Sequence, residues 1–249
     1  MSNAPAAAAA LDVLALLSRH TEAMPAASIA SQLGLPRSST YHLLAVLQER
    51  GFVVHLPEER RYALGVAAYE LGSAYSRQAP LQRLARPLVE RLVDETQQNA
   101  HLAVLHGADV VYLLEERAPR RPPLVSDVGV RLPAHLTASG LALLAALPAA
   151  QVRALYPSGA GLVRRHDAGP TSLTALRSLL TGVRQRGYAV EDGTVTPSFS
   201  SVAAAALDRA GYPAAAIALT FEGDRVEERE RAALAAAARA CAAALSRRL

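Results

Sequence analysis

The stretch 26-AASIASQLGLPRSSTYHLLAVLQER-50 constrains the fold more than any other, because its glycine and proline leave the backbone few paths. Apolar residues at Ile29, Leu33, Leu35, Leu43, Leu44, Val46 and Leu47 recur at helical spacing and predict two short helices. Gly34 is placed to stop the first, and Pro36 to start the second, where a missing backbone N–H costs nothing. Helices that cross through so tight a turn need a small residue where they touch, and Ala30 supplies it. Thr40 takes a position that is usually apolar, where its methyl can still pack toward the core. Gly51 ends the helical pattern. The runs 52-FVVHL-56 and 61-RYALG-65 then read as two strands of a hairpin closed by the charged turn 57-PEER-60. Upstream, Leu11, Leu14 and Leu17 give a first amphipathic helix, and Met24-Pro25 opens the second.

Residues 66–78 read as a helix joining this unit to the rest, with Pro80 as the boundary. Beyond it, 81–98 is amphipathic through Leu81, Leu84, Leu88 and Leu92. Then 101-HLAVLHG-107 and 109-DVVYLLEERA-118 form strands that turn at Gly107–Asp109. Extended segments around 123–132 follow. Helices are expected near 137–147, 149–155 and 171–186, strands near 198–207 and 213–221, and an alanine-rich helix from about 226. The expected class is α+β. A winged helix-turn-helix covers 1–65, a linker helix 66–79, and an α/β domain 80–249.

At 249 residues the chain has room for two separate cores. Net charge is +4, and every one of the 26 basic residues is arginine. The surplus lies beyond residue 79; residues 1–79 hold six arginines against six acids, so any anion-binding surface there must be focused locally. A single cysteine, Cys241, excludes an internal disulfide, fits a cytoplasmic setting, and sits in a helical run where a buried, inert thiol is expected. No apolar run reaches the roughly 18 residues that span a bilayer. The N-terminus lacks a basic leader segment and carries Asp12, so no signal peptide is expected.

Two chemistries compete for the polar front of the helix from Pro36. A recognition helix presents its first turns to base edges and phosphates, and Arg37, Ser38, Ser39, Tyr41 and His42 occupy those turns. Arg60 and Arg61 in the hairpin would flank the same site against the DNA backbone. Alternatively, the serines cap their helix and the arginine pair is a solvated turn. A hydrolase reading draws on Asp127, His135 and Ser139, but 137-TASGL-141 lacks the first glycine of a nucleophile elbow. His101 and His106 fall on opposite faces of one strand, no C-x-x-C or H-E-x-x-H occurs, and 158-SGAGL-162 has no lysine for phosphate. No metal or other cofactor is expected.

The order of helix-turn-helix, wing, linker helix and α+β domain resembles the IclR family of bacterial transcriptional regulators. The stretches 33-LGLPRSSTYHLLAVLQERGFV-53, 101-HLAVLHGADVVYLLEE-116, 131-RLPAHLTASGLALLA-145, 184-RQRGYAVEDG-193 and 200-SSVAAAALDRAG-211 carry the resemblance. It implies a GAF-like C-terminal domain that binds a small organic-acid effector. It also implies homodimers or homotetramers on palindromic double-stranded operators, with repression the expected mode and no membrane partner. Carried over residue by residue, the amides of Ala138 and Ser139 would face an effector carboxylate, with Glu191, Ser201, Ala218 and Thr220 around it. Three positions depart from the family pattern: Glu191 replaces an aspartate, Ser201 a frequent cysteine, and Ala218 a serine. The alternative for Thr137 and Ser139 is that they simply cap their helix. An esterase-like enzyme, or an interaction module with a non-functional helix-turn-helix, is the alternative class.

Overall fold

Gly34 adopts φ 63, the left-handed conformation that ends helix α2 (Ala26–Leu33) and lets α3 (Arg37–Glu49) begin after Pro36. Helix α1 (Pro5–Leu17) packs on this pair. Strand β1 (Met24–Pro25) joins the hairpin β2 (Val53–Leu56) and β3 (Arg61–Leu64) in an antiparallel sheet of order β1-β3-β2, and α4 (Val66–Gln78) follows. In this computed structural model, residues 4–78, 80–119, 121, 127–157, 162–166 and 168–249 are described, and the chain divides into two units, Met1–Ala79 and Pro80–Leu249.

Val13, Leu17, Ile29, Leu44, Leu47 and Val53 form the core of the first unit. Thr40 is fully buried, and its hydroxyl donates to the Pro36 carbonyl at 3.1 Å, which satisfies the one polar atom it brings inside. Two expected inward residues lie outside. Leu11 is exposed because α1 turns Val13 and Leu17, four residues apart, to the core. Val46 is also exposed, since two residues past Leu44 is more than half a turn round the helix.

The second unit is a six-stranded antiparallel sheet of order β6-β5-β4-β9-β8-β7. Its strands are β4 (Asn99–His106), β5 (Asp109–Glu116), β6 (Arg131–Pro133), β7 (Ala189–Asp192), β8 (Phe199–Leu207) and β9 (Pro213–Glu222). Helices α5 (Pro80–Thr96) and α9 (Glu228–Ser246) cover one face, with Leu88, Leu92, Leu102, Ile217 and Leu219 between the layers. Helices α6 (Ala138–Ala146) and α8 (Leu173–Arg186) cover the other, and α7 (Ala149–Leu155) lies beside them. Alanines at 103, 203, 216 and 218 make a low floor under α6, so that α6 is buried along nearly its whole length, as its apolar circumference requires.

Strand β7 was not expected: four residues directly after the Gly187 helix stop carry too little alternation to be read as a strand. Among the described residues of the extended region 123–132, strand forms at its end, in Arg131–Pro133; residues 122–126 lie outside the described residues. Residues 158–161 of 158-SGAGL-162 also lie outside them. No helix among the described residues is long and apolar enough to cross a membrane. Cys241 is buried, its thiol pushed up to about 11 chiefly by desolvation, and Sγ lies 3.7 Å from the Leu88 carbonyl.

Candidate functional site

The front of α3 is solvent-facing. Arg37, Ser38, Ser39, Tyr41 and His42 are all exposed, while Thr40, Leu44 and Leu47 anchor the opposite side. Pro36 is the N-cap residue and provides no side-chain cap, and neither serine hydroxyl makes a hydrogen bond among the described residues. The capping alternative for these two serines therefore fails. Their hydroxyls and the free N–H groups of the first turn remain available to an anion.

The two hairpin arginines part company. Arg60 is exposed in the turn at φ 53. Arg61 donates from Nη1 to the Ala23 carbonyl at 3.1 Å and lies 3.8 Å from Glu22, tying β3 to the approach of β1. A backbone contact by Arg61 competes with that internal bond.

In the second unit, Ala138, Ser139, Glu191, Ser201, Ala218 and Thr220 all line one cavity, together with His101, Tyr112, Thr137, Val195, Thr196 and Phe199. Its volume is about 30 Å³, room for roughly two waters. Strand register explains the convergence. Glu191, Ser201, Thr220 and Asn99 stand side by side across β7, β8, β9 and β4, while Ala189, Ala203, Ala218 and His101 form the adjacent row. Both rows face α6.

Helix α6 closes the top with its N-terminus. Thr137 is the N-cap and accepts from the Gly140 amide at 2.9 Å, so for Thr137 the capping role holds. Ser139 does not cap: its buried hydroxyl has no hydrogen-bond partner. The amides of Ala138 and Ser139 likewise have no protein acceptor among the described residues. Three donors thus converge unfilled at one buried spot, an arrangement suited to an anion.

Opposite stands Glu191, whose Oε1 accepts from the Thr194 amide at 2.5 Å and the Val195 amide at 3.1 Å. Burial raises its carboxyl above the usual range and Asp192 adds to this, while the two amides and the Ser201 hydroxyl pull it back. The Ser201 and Thr220 hydroxyls lie 3.0 Å apart on the cavity floor. Tyr112 has its phenol pushed up to about 12, mainly by burial and further by Glu191, with the nearby hydroxyls of Ser139 and Thr137 opposing. At neutral pH it is therefore a protonated donor.

His101 and Tyr112 were missed as lining residues. In the sequence Tyr112 stands out only as part of the strand 109–118, and His101 only as half of a metal pair with His106. A β-bulge explains what lies beneath them. Ala103 pairs with Tyr112 but Leu102 with Leu114, so Leu113 is extra, and beyond it the strand swaps faces. That swap brings Glu115 under His101, with Nε2 and Oε1 3.8 Å apart, and Arg117 grips Glu115 at 2.9 Å.

Burial opposes ionisation of Glu115, yet His101 and Arg117 outweigh it and hold its carboxyl down at about 2. A depressed folded-state value stabilises the protein above the unfolded value near 4.5 and loses that stabilisation as pH falls toward 2. Glu115→Gln should therefore flatten the acid limb of the stability profile by about 1–3 kcal/mol, read by denaturant unfolding at stepped pH. An unchanged acid limb would show that this carboxylate is not the group being titrated.

Asp127, His135 and Ser139 do not assemble into a catalytic set. His135 Nε2 is engaged by the Val163 carbonyl at 2.9 Å, and the ring packs edge-on to Tyr156. Asp127 is exposed, with Oδ1 accepting from the Val128 amide, and neither it nor His135 lines the Ser139 cavity. Among the described residues, no three His, Cys, Asp or Glu side chains cluster as metal ligands.

Comparison with known proteins agrees with this two-part architecture. Residues 6–57 match the IclR helix-turn-helix domain and residues 73–247 the bacterial transcriptional regulator IclR C-terminal domain. The glycerol operon regulatory protein of Streptomyces coelicolor is 31% identical over 239 residues, covering 95% of this chain and 93% of that protein. The transcriptional repressor IclR of Escherichia coli is 28% identical over 220 residues, 88% of this chain and 80% of that one. An IclR transcriptional regulator from Alicyclobacillus acidocaldarius superposes with a TM-score of 0.84 at 25% identity, covering 99% of each chain. An IclR homolog from Microbacterium hydrocarbonoxydans, solved with 4-hydroxybenzoate, has a TM-score of 0.78 at 22% identity, over 97% of this chain and 98% of that one. With both family domains matched in order across nearly its whole length, the chain belongs to the IclR family of DNA-binding transcriptional regulators.

Proposed function

We propose that this regulator is a cytoplasmic repressor that reads a palindromic operator as a homodimer or homotetramer and responds to a small carboxylic acid, with no catalytic activity of its own. Residues 1–65 carry the DNA-reading surface, 66–79 the linker helix, and 80–249 the effector and oligomerisation domain. Arg37, Ser38, Ser39, Tyr41 and His42 lie at the major groove, and Arg60 approaches the flanking backbone, with Arg61 joining only if it leaves Ala23. The effector acid is held by Ala138 and Ser139 at the α6 N-terminus, with Glu191, Ser201, Ala218 and Thr220 around it. The observation that carries the reading is the buried, unfilled donor set at Ser139. That one solved relative holds 4-hydroxybenzoate adds support. Effector binding favours one spacing of the two DNA-reading heads over another, which is the differential affinity that any such switch requires.

A gel-shift with DNA flanking the gene tests the proposal, run with and without small acids across a salt series. A salt-sensitive, sequence-selective complex that responds to an acid is expected, and its absence at physiological ionic strength would sink the reading. Arg37→Ala should weaken binding across sequences and reduce the salt slope by about one. An unchanged slope removes Arg37 from the phosphate backbone.

A further inference from the structure

We infer that Glu191 is the latch of a gate, and that the effector site is two spaces which this gate joins when it opens. The inference rests on the cavity at the α6 N-terminus being part of the effector site. Size comes first. The cavity measures about 30 Å³, whereas small-molecule sites run from about 300 to 1,000 Å³. A groove between α8 and the edge strand β7 measures about 510 Å³ and falls within that range. Leu136, Leu141, Pro170, Leu179 and Val190 give the groove apolar walls. The groove has room for the body of an acid. The cavity holds the unfilled amides of Ala138 and Ser139 and the Ser139 hydroxyl.

One side chain stands between the two spaces. Glu191 lines both, whereas Val195 lines the cavity and Thr194 the groove. Oε1 of Glu191 accepts from the amides of both, and neither amide has a backbone acceptor among the described residues. These bonds hold the β7–β8 loop across the gap. The ends of the loop are fixed separately. The Gly193 amide donates to the Phe199 carbonyl at 2.8 Å, and the Gly223 amide donates to the Ser198 carbonyl at 2.8 Å. Gly193 at φ 64 and Ser198 at φ 68 take the left-handed conformation, so the chain turns sharply at either end. A short segment between two pinned turns is the kind that swings as a gate. Releasing Glu191 frees it without breaking a strand pair.

Electrostatics favours the same motion. A latched Glu191 keeps a carboxylate on the wall of the small cavity, where a ligand carboxylate at the α6 N-terminus would meet a like charge. Swinging Glu191 out with its loop removes that repulsion and opens the way to the groove in one step. The ligand this fits is an acid with an apolar body, its carboxylate at Ser139 and its body against Leu141 and Leu179. Glu191 is a positioning residue in this scheme, acting through the loop it holds.

Thiol labelling of the full-length protein with methyl methanethiosulfonate tests this. Ser139→Cys in a Cys241→Ala background puts one thiol in the cavity, and it should label slowly. Glu191→Ala should speed that labelling by about tenfold or more, because two bonds to a charged acceptor are lost. Glu191→Gln keeps a carbonyl oxygen for the two amides and should recover most of the slow rate. Cys241 of the otherwise native chain, packed on the opposite face of the sheet, reports global opening, and Glu191→Ala should leave its rate unchanged. An unchanged Ser139→Cys rate in folded Glu191→Ala, or an equal rise at Cys241, overturns the gate and leaves the effector reading standing. Acetate, hexanoate and 4-hydroxybenzoate are the ligand probes, with operator gel-shifts alongside. At about ten times its dissociation constant, either larger acid should slow Ser139→Cys labelling by about tenfold. Leu179→Trp, which fills the groove, should remove that protection. Protection that survives Leu179→Trp, or protection by acetate alone, overturns the joined site. If the gate obeys Glu191 but no acid protects Ser139→Cys or changes operator affinity, the effector reading itself fails.

Discussion

Gly140→Ala lowers stability by about 2–3 kcal/mol, close to the upper end of overpacking costs, and abolishes binding in the α6 cavity. A Cβ at this position would collide with the backbone of Ala134, including its carbonyl. Neither side can give way cheaply. The Ala134 amide donates to the Ala108 carbonyl at 2.9 Å, and the next residue, His135, is bound to Val163. Gly140 in turn donates to the Thr137 cap, so moving α6 outward breaks the cap that orders its first turn. The melting temperature should fall by roughly 5–10 °C. An unchanged melting temperature with intact acid binding would mean that α6 slides freely over the turn below it.

Leu44→Ala removes operator binding through the fold of the first unit, not through the DNA surface. Leu44 is 1% exposed and joins α3 to Val13, Leu17 and Ile29. Truncating such a residue costs about 2–5 kcal/mol, against a total of roughly 4–12 kcal/mol for a unit of this length. Val46→Ala on the same helix is the control: Val46 is 55% exposed, and its loss should change stability by no more than about 0.5 kcal/mol. Denaturant unfolding and gel-shifts on both variants separate the cases. Equal losses would show α3 to be packed the other way round, with its polar face inside.

The helix-turn-helix was legible in the sequence because Gly34 and Pro36 restrict the backbone itself, whatever packs around them. Burial was less legible where it depends on helix rotation. Leu11 and Val46 share the composition of their buried neighbours and differ only in angle about the axis. The candidate site was partly legible: the resemblance supplied the six residues that converge on the cavity, while spacing alone would not have gathered them from β7, β8, β9 and α6. Glu115 stayed hidden for a different reason. Strict alternation from Tyr112 assigns it to the opposite face, and nothing in 109-DVVYLLEE-116 marks Leu113 as the residue that resets the count. Arg61 looked like a twin of Arg60, and only a residue 38 positions away, Ala23, distinguishes them.

That reset makes β5 a strand read in two frames. Before Leu113 even-numbered residues look toward α6; after it, odd-numbered ones do. Pairing Leu113 with Leu102, in place of the bulge, would merge the frames, sending Leu114 among the cavity's polar groups and Glu115 into the hydrocarbon layer between the sheet and α5. The identity of every residue downstream could be kept and the site would still be lost. At this point in the chain, pairing register matters as much as residue identity.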